Sequence, residues 1–102
     1  MNQMTIELWL GKEFGGDFES LSEMRSIIRE KVEKGTVVLQ LLNHLARRNS
    51  EFAREVFDPE AKRLNPFVVV TYNDRVISHN EVYDKVIDDG DKITILPIYA
   101  GG

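Results

Sequence analysis

Two stretches of period-two alternation stand near the two ends of the sequence, and one strongly amphipathic segment stands between them. In residues 4–10 (MTIELWL), Met4, Ile6, Leu8 and Leu10 share one face and Thr5, Glu7 and Trp9 the other, the pattern of a half-buried strand. Residues 92–98 (KITILPI) repeat it, with Ile93 and Ile95 on one face and Thr94, Leu96 and Ile98 on the other. Between them, Val38, Leu41, Leu42 and Leu45 recur at helical spacing. Thr36 is the expected cap of that helix, and Arg47 and Arg48 fall in its last turn, where cations complement the helix dipole. Strands bracketing one good helix predict an α+β fold, a mixed sheet packed on that helix over a single core.

The remaining segments fit this frame. Residues 67–72 (FVVVTY) are β-branched and aromatic, the strongest strand of the chain, and Asn73-Asp74 then turns into residues 75–78, which predicts a hairpin. Ser50 starts a short helical turn with Phe52, Val56 and Phe57 as its apolar side, stopped by Asp58-Pro59. Residues 60–66 read as a polar connection, residues 82–87 as one irregular helical turn, and Asp88-Asp89-Gly90-Asp91 as a tight turn. Residues 20–35 are ambiguous. Leu21, Met24, Ile28 and Val32 match a helical face that Ser20 caps, whereas a strand places Ile28 and Val32 together with Glu30 between them. If this segment pairs with the first strand, the order becomes ββαβββ.

Composition narrows the function classes. With 102 residues, 42% hydrophobic and 29% charged, the chain has the size and make-up of one folded domain. It has no Cys, which removes disulfide frameworks, zinc ribbons and thiol nucleophiles. A net charge of −4 argues against nucleic-acid binding, which needs clustered Lys and Arg, and permits a partner with a basic docking surface. No apolar run approaches a membrane span and no signal-like leader opens the sequence, so a cytoplasmic location is expected. His44 and His79 stand far apart without ligand-like spacing, so no metal site is expected and each reads as a surface or capping residue. The acidic turn lacks the alternating oxygen ligands and closing Glu of a calcium loop. No phosphate loop, nucleophile elbow or HExxH helix is present.

Gly101-Gly102 directly after the Pro-containing last strand is the feature with chemical meaning. Glycine lacks a Cβ, so an extended Gly-Gly threads a narrow channel that larger residues block, and it presents the α-carboxylate of Gly102 to another enzyme's site. A turn and strand of the form DDGDKITILP, with Gly90-Asp91 and Pro97, followed by AGG, resembles the ubiquitin-like sulfur carriers of the MoaD/ThiS family. The likeness is greatest to the molybdopterin synthase small-subunit branch, which the long helix-to-strand region around residues 51–66 resembles more than it does the compact thiamine carriers. The resemblance implies a ubiquitin-like β-grasp over residues 1–98 with a flexible Gly-Gly tail over 99–102, and it turns the ambiguous segment into a strand.

In that family the terminal Gly carboxylate is adenylated by an E1-like partner and converted to a thiocarboxylate. The resemblance therefore implies a carrier protein and not a free-standing enzyme, with Gly102 as the reacting terminus and Tyr99, Ala100 and Gly101 threading the partner's channel. It implies no bound cofactor, ATP being used by the activating partner. The sulfur acceptor is a large synthase subunit or another acceptor, with no nucleic acid and no membrane as partner. Molybdenum or tungsten cofactor synthesis is the expected pathway. The alternatives are a thiamine-thiazole or tRNA-thiolation carrier, a ubiquitin-like modifier, or a β-grasp protein-binding module. With the first and last strands parallel, Trp9, Leu96 and Ile98 collect on the sheet face away from the helix and form the expected docking patch. The competing expectation is that Phe14 or Phe18, in the loop after strand one, covers Trp9.

Overall fold

The computed structural model describes residues 1–98, so the expected tail of Tyr99, Ala100, Gly101 and Gly102 lies outside the described residues. Eight strands and three helices follow one another as β1 (Asn2–Leu8), β2 (Glu19–Ser20), β3 (Ser26–Val32), α1 (Val38–Arg48), α2 (Ser50–Glu55), β4 (Phe57–Asp58), β5 (Arg63–Leu64), β6 (Val68–Tyr72), β7 (Arg75–Ile77), α3 (His79–Tyr83) and β8 (Lys92–Pro97). Six strands form one mixed sheet in the order β2-β3-β1-β8-β6-β7, and β4 pairs with β5 apart from it. The first and last strands lie parallel at its centre, with Ile6 opposite Ile93 and Leu8 opposite Ile95, and every other pairing is antiparallel.

One face of this sheet packs on α1, as the alternation predicts. Met4, Ile6, Leu8, Ile93 and Ile95 are fully buried in one cluster with Val38, Leu41, Leu42 and Leu45. Strand β1 ends at Leu8, two residues before the expected end, and Leu10 is only partly buried against that cluster. The ambiguous segment is a strand. Ile28 and Val32 enter the core, whereas Leu21 and Met24 are exposed and form no helical face. Glu30 is tolerated on the inner side because it lies near the C-terminal end of α1 and pairs there with Arg48.

Several local expectations are corrected. Thr36 does not cap α1; the helix begins after Val37, whose amide is bound 2.9 Å away by the Gln40 side chain, so a glutamine one turn in supplies the missing acceptor. Helix α2 starts at Ser50 as expected, and Asn49 before it is the cap, accepting from the Phe52 amide at 2.9 Å. The connection 60–66 is not featureless: Arg63–Leu64 folds back on Phe57–Asp58 and buries Leu64 with Phe52, Val56 and Phe57. The helical turn expected over 82–87 lies earlier, at α3, where Ser78 caps by accepting from the Glu81 amide. Asn73 and Asp74 both hold positive φ (50° and 69°), the geometry of the two-residue turn whose twist matches the flanking strands.

The acidic turn 88–91 does more than reverse the chain. The Asp91 carboxylate accepts from the Tyr72 hydroxyl, from the Asn73 side-chain amide at 3.0 Å and from the Asp88 amide at 2.9 Å. Asn73 in turn accepts from the Lys92 amide at 2.8 Å, which fixes the β6–β7 turn to the start of β8. Burial pulls the Asp91 carboxyl upward, but the bonds from Asn73, Tyr72 and Asp88, aided by the Lys85 charge, outweigh it and hold the carboxyl below its ordinary value. Burial first, and then the bond to Asp91, push the Tyr72 hydroxyl up, so it remains a donor.

Removing the carboxylate by Asp91→Ala should cost about 2 kcal/mol near neutral pH, since hydrogen bonds to a charged group each contribute about 1.5–3 kcal/mol. A depressed folded pKa means that this contribution is complete above the unfolded value of about 4 and fades as pH falls through the folded one. Urea titrations of both chains should therefore show a gap at pH 7 that narrows below about pH 4.

Candidate functional site on the outer face of the sheet

The residues that alternate away from α1 form the outer face, and their register sets them in rows across the strands. Glu7 lies opposite Ile27 and Thr94, and Thr94 lies opposite Thr71, which faces Val76 on β7. One step nearer the end of β8, Leu96 lies opposite Val69. Trp9 continues the parallel pairing, its amide donating to the Ile95 carbonyl at 2.9 Å, which puts Trp9 beside Leu96 in register.

Trp9 is half-buried and stands outside the main core cluster. Its indole N–H donates to the Glu7 carboxylate, and the Arg25 guanidinium lies 4.5 Å from the ring centroid while its Nη2 sits 3.1 Å from the same carboxylate. Glu7 is thus a nearly buried anion that an indole and a guanidinium satisfy together, and Arg25 gains a cation–π contact. Phe14 and Phe18 do not cover Trp9. They stack toward Phe52, with ring centroids at 5.6 Å (Phe14–Phe18) and 5.8 Å (Phe18–Phe52), and the Asn49 side chain holds the Phe14 carbonyl at 2.9 Å. The loop after β1 therefore joins the helix side, and the outer face keeps Glu7, Ile27 and Thr94 buried, Trp9 and Leu96 half-buried and Ile98 exposed.

Of the expected docking residues, Leu96 is half-buried and Ile98 is exposed, and both continue the row system of Trp9 toward the end of β8. The Ile98 amide donates to the Phe67 carbonyl at 2.9 Å, so Phe67, 72% exposed, joins this end of the sheet. Phe67 was read only as the first strand residue; it falls just outside β6, and that position leaves it unpartnered by the core. Glu7 and Arg25 carry no motif, and an alternating acid on a strand is the only signal that pointed to them. Gly102, Gly101, Ala100 and Tyr99 lie outside the described residues. The two histidines are engaged locally, His79 with the Val68 carbonyl at 2.8 Å and His44 with Arg48 at 2.9 Å. An open groove of about 710 Å3 lies at the opposite end of the sheet, between β7 and α3, and is lined by Tyr72, Arg75, Lys85 and Asp91 among others.

A mixed sheet with parallel first and last strands at its centre, closed over one main helix and followed by Gly101-Gly102, defines a ubiquitin-like β-grasp of the carrier or modifier class. The model of the ThiS family matches residues 20–102, and the chain belongs to that family of small ubiquitin-like carriers. Among solved structures it is similar to SAMP1 from Haloferax volcanii, with a TM-score of 0.69 at 18% identity, covering 99% of this chain and 100% of that one. A second structure, of the H. volcanii small archaeal modifier protein 1, gives a TM-score of 0.68 at 17% identity, covering 97% and 100%. The H. volcanii HVO 2177 protein in solution gives 0.59 at 25% identity, covering 99% and 89%. A comparison with curated proteins finds no sequence match. No described helix is long and apolar enough to cross a membrane.

Arg25→Ala leaves the Glu7 carboxylate nearly buried with the indole as its one side-chain donor, and should cost about 2 kcal/mol. Adding Glu7→Gln should recover part of that loss, which a double-mutant cycle in urea measures. Because Trp9 is the sole tryptophan, its emission should also shift in Arg25→Ala.

Proposed function

We propose that the protein is a sulfur carrier whose Gly102 carboxylate is activated as an acyl-adenylate and converted to a thiocarboxylate. The observation that carries this reading is the family match, which runs from β2 through β8 to Gly101-Gly102. In the activation step a Gly102 carboxylate oxygen attacks the α-phosphorus of ATP on an E1-like partner and releases pyrophosphate. A sulfide-equivalent donor then attacks the acyl carbon, AMP leaves, and the proton of the incoming sulfur passes to solvent. Tyr99, Ala100 and Gly101 thread the partner's channel, where the absence of a Cβ at Gly101 gives the backbone room.

Trp9, Leu96 and Ile98 dock the body of the domain on that partner and on the acceptor subunit. An uncovered apolar row beside the end of β8 supports this role, because such patches mark interfaces. The acceptor we favour is the large subunit of a molybdopterin synthase. The α2–β4–β5 region between α1 and β6, extra to a minimal β-grasp, supports that branch. A second reading is protein modification through the same Gly102 carboxylate. It is favoured by the likeness of fold to proteins described as small archaeal modifiers.

Incubated with its activating enzyme, ATP and a sulfur source, the chain should gain the mass of one oxygen-for-sulfur exchange, localised to Gly102 by fragment mass spectrometry. Deleting Gly102 should abolish the gain without altering the circular dichroism spectrum. An adduct joining Gly102 to a lysine of another protein, in place of the exchange, would establish the second reading. Trp9→Ala should weaken binding to the activating enzyme at least tenfold, the scale of a tryptophan hot spot of about 2 kcal/mol. Normal binding by the folded mutant would remove Trp9 from the docking surface.

A further inference from the structure

Strand register places three cations on the outer face of an acidic chain, and a side-chain contact places a fourth. Lys31 lies opposite Gln3 and Arg29 opposite Thr5, and Thr5 in turn pairs with Lys92, so these three cations occupy adjoining rows. Arg25 adds a fourth beside Trp9. The carboxylates that the same register places on this face are Glu7, neutralised by Arg25, and Glu19, opposite Ile27. With Arg25 set against Glu7 and Lys92 against Asp74, the unpaired charge of these rows is that of Arg29 and Lys31, opposite in sign to the chain's net charge of −4.

Arg25 is taken up by Glu7 and Trp9, whereas Arg29, Lys31 and Lys92 are not absorbed by the fold. Arg29 and Lys31 are exposed, and among the described residues neither has an ion-pair partner within 4.0 Å. Lys92 pairs at 3.4 Å with Asp74, which is 82% exposed, and such a solvated pair exchanges readily for a stronger partner. The apolar row and the basic rows are spatially separate. Trp9 and Leu96 lie toward the end of β8, whereas Thr5, Arg29 and Lys92 lie four residues back along β1, about 13 Å at the rise of a strand.

From this arrangement we infer that the outer face is a two-part docking surface, and that its occupant is an acidic protein surface. Resting on the carrier reading above, this identifies the recognition chemistry of the activating partner. That partner has an apolar seat for Trp9, Leu96 and Ile98 beside its channel mouth, and carboxylates about 13 Å away facing Arg29, Lys31 and Lys92. The apolar seat sets the lifetime of the complex. The basic rows steer its encounter, because rim charges act mainly on the association rate. The positive face also orients the domain, since its remaining surface carries the excess negative charge and is repelled by the same acidic partner.

The test uses the full chain and its ATP-dependent activating enzyme. Reversing both exposed charges, Arg29→Glu with Lys31→Glu, should slow association about tenfold at low ionic strength with little change in dissociation. The deficit should fall below about twofold near 1 M salt, where the screening length is about 3 Å. The neutral pair Arg29→Ala with Lys31→Ala should fall between, which separates charge from any packing effect of the reversal. Unchanged association rates, a salt-independent deficit, no association of the wild-type chain, or tighter binding to a single-stranded RNA oligomer than to the enzyme would each overturn the inference. Oxygen-for-sulfur exchange at Gly102 is read in the same samples. Exchange without charge-dependent association removes this inference and leaves the carrier reading; charge-dependent association without exchange does the reverse.

Discussion

The parallel pairing of β1 with β8 is the constraint on which the rest of the structure depends. It joins strands from opposite ends of the described chain, so everything between them is a single long crossover that must close before the pairing forms. A set of bonds around the acidic turn holds that closure. The Gly90 amide donates to the Gln3 carbonyl at 2.9 Å, and the Gln3 amide donates to the Asp89 carboxylate at 2.7 Å. The Asn2 side chain reaches the Ile87 carbonyl at 3.0 Å, and the Thr5 amide reaches the Asp91 carbonyl at 3.0 Å. Asp91 then ties the same point to Tyr72 and Asn73 on the other side of β8. Gly90, at φ 89°, supplies the left-handed backbone that such a turn needs.

From that central pair the two faces of the sheet diverge. Along this pair the inner face is apolar apart from Asn2 at one end, and it disappears under α1; Glu30 on the neighbouring β3 pairs with Arg48. The outer face carries Glu7 at its middle, and because that carboxylate is nearly buried it needs donors from the protein. Trp9 and Arg25 provide them, and the backbone around Arg25 is itself fixed, the Leu21 amide donating to the Arg25 carbonyl at 2.9 Å and the Gly11 amide to the Met24 carbonyl at 3.2 Å. The ion pair draws the β2–β3 turn over one edge of the face and no further. With Phe14 and Phe18 committed to Phe52 on the helix side, nothing in the described chain closes over the row from Trp9 to Val69.

Patterns of local period were legible in the sequence because burial enforces them. The alternation of Ile6, Leu8, Ile93 and Ile95 and the helical spacing of Val38, Leu41, Leu42 and Leu45 each reflect one buried face. What could not be read were bonds between distant segments. Thr36 looked like a cap because its hydroxyl has the right chemistry, yet Gln40 does that work from inside the helix. Glu30 made residues 26–32 look unfit as a strand because its partner, Arg48, lies on another element. Leu64 looked like part of a polar connection because its pairing with Phe57 has no local signature. At the candidate site the apolar members were visible from alternation alone, whereas no local pattern marks Arg25 as the partner of Trp9 or sets Arg29 and Lys31 on the same face; only the pairing of β1 with β3 does so.

The row from Trp9 to Leu96 and the point where the last segment departs lie on the same pair of strands, and on the carrier reading proposed above this sets the geometry of docking. Strand β8 is held on both sides up to its last described residues, by the Trp9 amide on the Ile95 carbonyl and by the Ile98 amide on the Phe67 carbonyl. A partner seated on Trp9 and Leu96 therefore knows where the chain beyond Ile98 begins, to within about one residue rise of 3.3 Å. On that reading, docking would turn the meeting of that segment with a partner's site into an intramolecular event, with an effective concentration set by a short span rather than by diffusion. A loop-borne reactive segment would lose this advantage. The β-grasp would supply it, because the strand that leads into the segment is the same strand that carries Leu96 on the proposed docking face.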